Sequence, residues 1–300
     1  MPDKRLGYWI SRDDGKIDLG VQPVALTDEA WAEFENVISV TTELRPFVVD
    51  FLSLEDDFKR LERVEDEIAS QTVAGYPLKN LGLKHLQSLA AAQGAVSNFL
   101  SSAGSFRERA KTRLRIRYGD DSEQLKWIED HEVHAYDNWF AYRLLYNMRN
   151  YGQHFEMPIS LVPLSAKRET SGQFQAVATI LVSPKELLES PLIQKSFREK
   201  ELVGRTEDIT LLPLAKTFMR IHGMVLNAIV QIHLPKIIEF QNYVRLLLQK
   251  MNLPPGAVPM IFEVDGEKDR RFYHFSFDEI AFLRDLTGRL ERPEPDLAAT

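Results

Sequence analysis

Residues 122–158 read SEQLKWIEDHEVHAYDNWFAYRLLYNMRNYGQHFEMP. Trp127, Ile128, Val133, Trp139, Phe140, Tyr142, Leu144, Leu145 and Met148 cover a broad arc at helical spacing. The pattern predicts one helix over about 122–151, buried on more than one side. That makes the chain's class mainly α. The same helix closes on polar groups: Arg149 and Asn150, then Gly152 and His154, with Pro158 beyond. A guanidinium, a carboxamide and an imidazole at one helix end admit two readings. They can cap the last carbonyls and answer the macrodipole, or they can handle a phosphate.

On the N-terminal side, Gly119-Asp120-Asp121-Ser122 breaks a preceding helix. Leu86, Leu89, Ala92, Val96, Leu100, Ala103 and Phe106 mark its apolar stripe, among Ala, Ser and Gly residues that allow close helix approach. It is expected to run on into FRERAKTRLRIRY. Gly75-Tyr76-Pro77 separates it from a helical stretch that starts at Thr27-Asp28-Glu29, with a threonine cap and early acids, and continues to about 72 with a break or kink at Pro46. Phe58, Leu61, Val64 and Ile68 give that stretch an amphipathic face, read as cover for the core. Before it, YWISRDDGKIDL reads as a hairpin turning at Asp14-Gly15.

On the C-terminal side the pattern turns to β. ISLVPLSAKR and FQAVATILVS flank ETSGQ as a hairpin, and SPKELLES and SPLIQKSFREKEL follow as short helices. Residues 208–251 read as a helical stretch of at least two pieces, since Pro213 and Pro235 lie within it. VPMIFEVDGEKDRRFYHFSF is a second hairpin, turning at Asp265-Gly266. FDEIAFLRDL is a short helix, and ERPEPDLAAT a disordered tail. The segments divide as 1–75, an N-terminal hairpin and helical extension; 76–160, a helical core; 161–290, a hairpin with C-terminal helices completing the bundle; and 291–300, the tail. The overall class is a helical bundle with small β-hairpins added, α+β in sum.

The 300 residues are 44% hydrophobic and 27% charged, ordinary for a globular protein, with a net charge of −7. That balance disfavours a general nucleic-acid coat and leaves room for a local basic patch. There are no cysteines, which excludes disulfides, thiolate nucleophiles and cysteine metal sites and suits a reducing compartment. No signal-type apolar segment opens the chain, and the run MVLNAIV is too short to span a bilayer. A cytoplasmic protein is expected, with no membrane partner.

Arg149-Asn150-x-x-x-His154, at the end of an aromatic helix and before a proline, resembles the R-x4-H signature of the HEPN domains (higher eukaryotes and prokaryotes nucleotide-binding). The resemblance covers about 78–160. It implies a helical bundle that dimerises and brings two motifs into one cleft. It further implies a metal-independent endoribonuclease of toxin–antitoxin or phage-defence type acting on single-stranded RNA, without a cofactor, or else a non-catalytic domain binding a nucleotide or protein partner. An antitoxin or other regulatory protein would restrain it. The residue types suit the reaction. The RNA 2′-hydroxyl attacks, and His154 serves as acid or base near neutral pH. Arg149 meets the charge growing on the phosphate oxygens with aligned donors. Asn150 orients the phosphate or the imidazole. Some HEPN toxins carry a tyrosine two residues after the histidine, where a partner nucleotidyltransferase modifies it. Glu156 stands there, and Tyr151 is at the wrong offset.

Geometry complicates the pair. On an unbroken helix, residues five apart diverge by about 140°. Arg143, Asn147, Asn150 and His154 would then share one stripe, which makes Arg143, Asn147 and Tyr151 secondary candidates. Either Gly152 ends the helix and the chain turns His154 back to Arg149, or Arg149 of one subunit meets His154 of another across a two-fold axis.

RERAKTRLRIRY places Arg107, Arg109, Lys111, Arg113, Arg115 and Arg117 within eleven residues. Arg109, Arg113 and Arg117 share a face, and with Lys111 they form the best candidate for an RNA-backbone patch; a solvated helix end is the competing reading. EDHEVHAYD gathers acids and histidines without the H-E-x-x-H spacing of a zinc protease, so solvated positions are expected there and no metal. His222 and His233, in an apolar helix, read as hydrogen-bonded core residues. Arg270, Arg271, Phe272, Tyr273 and His274 read as an edge strand. No phosphate-loop, dinucleotide or nucleophile-elbow motif is present.

Overall fold

The Asp14-Gly15 turn folds as expected. β1 (Asp3–Ser11) and β2 (Ile17–Ala25) pair antiparallel with Ser11 opposite Ile17. Gly15 has φ +79°, open to glycine and strained for other residues, and Lys16 N donates to Asp14 Oδ1 at 3.1 Å. This is a computed structural model, and it describes residues 3–74, 81–152, 157–161, 165–168, 174–254, 257–265 and 269–274. Among them the chain is mainly helical, with small antiparallel sheets.

Helix α1 (Asp28–Ala74) starts where Thr27 predicts, with Thr27 Oγ1 accepting from Ala30 N at 3.2 Å. The break expected at Pro46 does not occur, and the helix runs unbroken for 47 residues. Pro46 removes one backbone bond, but Thr42, whose carbonyl loses its partner, is exposed to water. Leu61, Val64 and Ile68 are buried as the amphipathic reading requires. Gly75-Tyr76-Pro77 lies outside the described residues.

Helix α2 (Leu81–Tyr118) runs through the basic segment and stops at Gly119, φ +95°, whose N–H bonds the Arg115 carbonyl at 2.8 Å. Its apolar stripe is buried from Ala92 to Leu114, whereas Leu86 is 62% exposed, so burial begins two turns later than the spacing implies. The stretch 122–151 is two helices, not one. α3 (Glu123–Asn138) and α4 (Phe140–Gly152) are divided at Trp139, which is extended at φ −119°, ψ 117°. Trp139 N closes α3 on the Ala135 carbonyl, and its own carbonyl opens α4 by accepting from Tyr142 N and Arg143 N. One residue thus serves both helix ends, which is why the apolar pattern passes over the break. Trp127 and Val133 are exposed; the buried side of α3 is Leu125, Ile128 and Ala135.

Ile159–Leu161 (β3) pairs with Ile180–Val182 (β6), and Ser165–Arg168 (β4) with Phe174–Val177 (β5), so the expected hairpin is a ladder in two sections. Its tip, ETSGQ, lies outside the described residues. α5 (Pro184–Glu189) and α6 (Lys195–Phe197), the latter running into a π-type turn at Arg198–Leu202, are the short helices; β7 (Ile209–Thr210) joins β6. α7 (Leu211–Met251) is one helix of 41 residues where two pieces were expected. Pro213 stands in its first turn, where no intrahelical acceptor exists for an N–H. Pro235 is exposed, and Gln231, whose carbonyl loses its partner, is part-exposed. By length and composition α7 could cross a membrane, and 56% of its most apolar window is buried inside the protein; a core helix passes the same test. β8 (Val258–Asp265) and β9 (Asp269–His274) form the second hairpin. Its turn, the following FDEIAFLRDL and the tail are outside the described residues.

Contacts group the described residues into two compact units, up to Pro46 with Ile229 onward, and Phe47–Ala228. The first holds the sheet β2-β1-β8-β9, with Phe34, Leu44, Phe240, Ile261 and Phe262 in its core. Here Lys4 Nζ stands 3.8 Å over the Trp31 ring, and Trp31 meets Tyr273 edge-on at 5.0 Å. The second holds the shorter helices around an aromatic centre: Phe51 against Phe106, Phe58 against Phe99, and Phe99 against Phe218. Arg149, Asn150 and the basic run of α2 lie in this second unit.

Candidate functional site

The buried stripe of α2 passes through Ala103, Ala110 and Leu114, and Arg107 sits on it, four residues after Ala103 and three before Ala110. α3 repeats the pattern, with Glu132 four residues after Ile128 and three before Ala135. Two charged residues therefore occupy core positions. The Arg107 side chain is 12% exposed and that of Glu132 16%. The expectation that Glu132 is a solvated member of EDHEVHAYD is corrected: helical phase turns it inward while Glu129 and Asp130 stay in water.

The two meet in a ladder between α2, α3 and α4. Arg107 donates to Glu108 Oε1 from Nη2 at 2.5 Å and from Nε at 3.1 Å, and its Nε lies 3.6 Å from Glu132 Oε1. Lys111 Nζ donates to Glu132 Oε2 at 3.1 Å and is 4.0 Å from Glu108. The Arg107 guanidinium lies 4.9 Å over the Tyr146 ring. Glu132 Oε1 is buried without a hydrogen bond. A cavity of about 10 Å³, room for about one water, is lined by Arg107, Glu132, Tyr142, Ile221, His222 and Val225.

Burial raises the Glu132 carboxyl above the usual range, partly offset by Arg107 and Lys111. Burial also opposes charge on Arg107, but Glu132 and Glu108 outweigh it and hold the guanidinium above its ordinary value. Tyr142 is pushed up to about 12, chiefly by burial, so its phenol stays protonated. His222 is lowered to about 4 by burial, with its Nδ1 paired to the Phe218 carbonyl at 2.8 Å. His233 likewise bonds the Ile229 carbonyl. Both are core histidines, as read from sequence.

Arg149 joins the ladder from α4, on one stripe with Tyr142 and Tyr146. It lies on Gly104 of α2 so closely that a Cβ there would fall 2.0 Å from Nε and 2.3 Å from Cζ. Its Nε is buried and makes no hydrogen bond. Glu108 stands one turn beyond Gly104. Partial burial works against its charge, but Arg107, Lys111 and Arg149 together hold it below the usual carboxylate range. Three cations and two carboxylates thus share this seam.

Asn150 is half-buried in the same last turn of α4, and Tyr151 is buried. His154 lies outside the described residues. Met157 is within them: its Cε would stand 2.2 Å from a Cβ on Gly152, so its side chain lies against the end of α4. The secondary candidates sit apart from the ladder. Arg143 donates from Nη1 to the Tyr136 and Asp137 carbonyls at the end of α3 and pairs with Glu201 at 2.8 Å. Asn147, 1% exposed, donates to the Arg143 carbonyl and accepts from Gln194 N. Both tie elements together.

The basic run splits by helical phase. Arg109 and Arg113 face α1, where both bond Asp50, at 2.9 and 2.5 Å, and Arg113 lies over the Phe47 ring. Lys111 belongs to the ladder. Arg117 lies over Tyr118, and Arg115 pairs with Asp120. Among the described residues no three His, Asp or Glu side chains converge as a metal site.

Sequence reasoning passed over Gly104, Glu108 and the inward turn of Arg107 and Glu132. For Arg107 and Glu132 the signal was present, since each falls on the 3–4 spacing of its helix's apolar stripe. No family model, no curated protein and no solved structure matches the chain.

Proposed function

We propose that this protein is a metal-independent endoribonuclease of HEPN type, a cytoplasmic toxin or phage-defence effector that cleaves single-stranded RNA through attack of the 2′-hydroxyl. It works as a homodimer under the control of an antitoxin or regulatory protein. The observation that carries this reading is Arg149: a guanidinium in the last turn of α4 whose buried Nε has no hydrogen-bond partner. Arg149 holds the scissile phosphate, Asn150 orients it, and His154 moves the proton. A second reading, a non-catalytic HEPN-like scaffold binding a nucleotide or protein, draws on Arg109 and Arg113, whose charges are already engaged by Asp50.

The test is cleavage of single-stranded RNA in EDTA. Wild type is expected to cut. Arg149→Ala, His154→Ala and Gly104→Ala, which displaces Arg149, are expected to lose on the order of 10²-fold or more, with unchanged circular dichroism. Cutting that survives in Arg149→Ala or His154→Ala removes the assigned roles. Stabilisation by a nucleotide without cutting selects the scaffold.

A further inference from the structure

Glu108 holds the place an anion would hold. Its carboxylate takes two donors from Arg107, lies 4.0 Å from Lys111 and feels the charge of Arg149, yet its side chain is 54% exposed. Arg107 and Lys111 are fixed from behind by Glu132, at 12% and 18% exposure. The cations are thus held between carboxylates, while the Glu108 carboxylate reaches solvent. On the α2 surface, Gly104, Glu108 and Lys111 follow one another at 3–4 spacing with Arg107 beside them, so the seat continues from Arg149 along the helix.

We infer that the Arg107–Lys111 seat, next to Arg149, is a second phosphate subsite for RNA, and that Glu108 is its built-in competitor, swinging aside when a phosphodiester arrives. The ligand class rests on the ribonuclease reading; the position of the subsite rests on the geometry of α2 and α4. A phosphodiester neighbouring the scissile one would exchange with Glu108, accepting the same donors from Arg107 and adding a contact to Lys111. Glu132 stays in place and keeps both cations oriented. Displacing Glu108 offsets part of the gain, but the contacts to Arg107 and Lys111 exceed it, so RNA that reaches only Arg149 is held less tightly than RNA long enough to fill both seats.

The probe is a fluorescein-labelled, fully 2′-O-methyl RNA oligonucleotide, which this mechanism cannot cut, titrated into the full chain in EDTA at low salt and read by anisotropy. Glu108→Gln is expected to tighten binding roughly 10-fold, while Glu108→Asp, which keeps the competing charge, stays within about 2-fold of wild type. Lys111→Gln is expected to weaken binding roughly 10-fold and to reduce the slope of log affinity against log salt by about one. Thermal melts of each variant report folding. Unchanged or weaker binding in Glu108→Gln overturns the subsite, as does equal tightening in Glu108→Asp. Cleavage is scored separately on unmodified RNA. Tighter Glu108→Gln binding without any cleavage keeps the subsite and removes the nuclease; cleavage with no change in Glu108→Gln binding keeps the nuclease and removes the subsite.

Discussion

Helix α2 carries two pairs of cations at the same four-residue spacing, and they meet different fates. Arg109 and Arg113 reach across to a single acid, Asp50, with side chains 61% and 32% exposed. Arg107 and Lys111 turn the other way, into a seam where Glu108, Glu132, Tyr142 and Tyr146 surround them and little water remains. Spacing alone makes the pairs look alike. The difference lies in how much of each cation reaches water: Arg109 and Arg113 bond a largely buried carboxylate but keep part of their own side chains in solvent, whereas Arg107 and Lys111 lie between α2, α3 and α4. Coulombic attraction counts for little in water and far more in a low-dielectric seam, where removing one partner leaves the other stranded.

The comparison breaks first at Arg107. Arg107→Ala leaves Glu132 buried with Lys111 alone, and a loss of about 3 kcal/mol or more is expected by urea denaturation. A loss under about 1 kcal/mol would show that the seam is hydrated and that the two cation pairs are equivalent.

The second effect is on pH dependence. Folding lowers His222 from its ordinary 6.5 to about 4, so between those values the unfolded chain binds the proton and the fold does not. Stability from this group is complete above about 6.5 and is lost as pH falls toward 4, with a slope of up to about 1.4 kcal/mol per pH unit. Glu132, raised by burial, works in the opposite sense, its contribution growing as pH falls. Urea midpoints across this window are expected to drop with acidity in wild type and to flatten in His222→Gln. An equal slope in both would place His222 in contact with water.

The smallest effect belongs to the exposed pair. Arg109→Ala is expected to cost under about 0.5 kcal/mol, and Arg113→Ala, which also packs on Phe47, about 1 kcal/mol. If a double-mutant cycle with Asp50→Ala gives couplings as large as those of Arg107, exposure does not separate the two sides of α2.

Much of this architecture could be read before any coordinates. Asp14-Gly15 gave the first hairpin, Thr27 the start of α1, and Gly119 the end of α2, because each signal is local and acts through one turn of backbone. Proline misled at 46 and 235, since a long helix tolerates one missing bond where the residue with the freed carbonyl is at least part-exposed. The apolar run across Trp139 concealed a break because that residue closes one helix and opens the next. Of the candidate site, Arg149 and Asn150 were visible as a motif, and His154 enters the proposal through that motif alone. Glu132 was hidden among solvated acids, though its phase with Ile128 and Ala135 marked it.

The sequence by itself determined the mainly helical class, the placement of turns and caps, and the Arg149–His154 spacing, all of which are set by residues a few positions apart. Only the tertiary structure decided which charges of α2 face α1 and which face α3 and α4, that Gly104 receives Arg149, and that Glu108 stands among three cations. Those depend on how helices distant in sequence are packed side by side, and a helix's own periodicity carries no information about the partner that will lie against it.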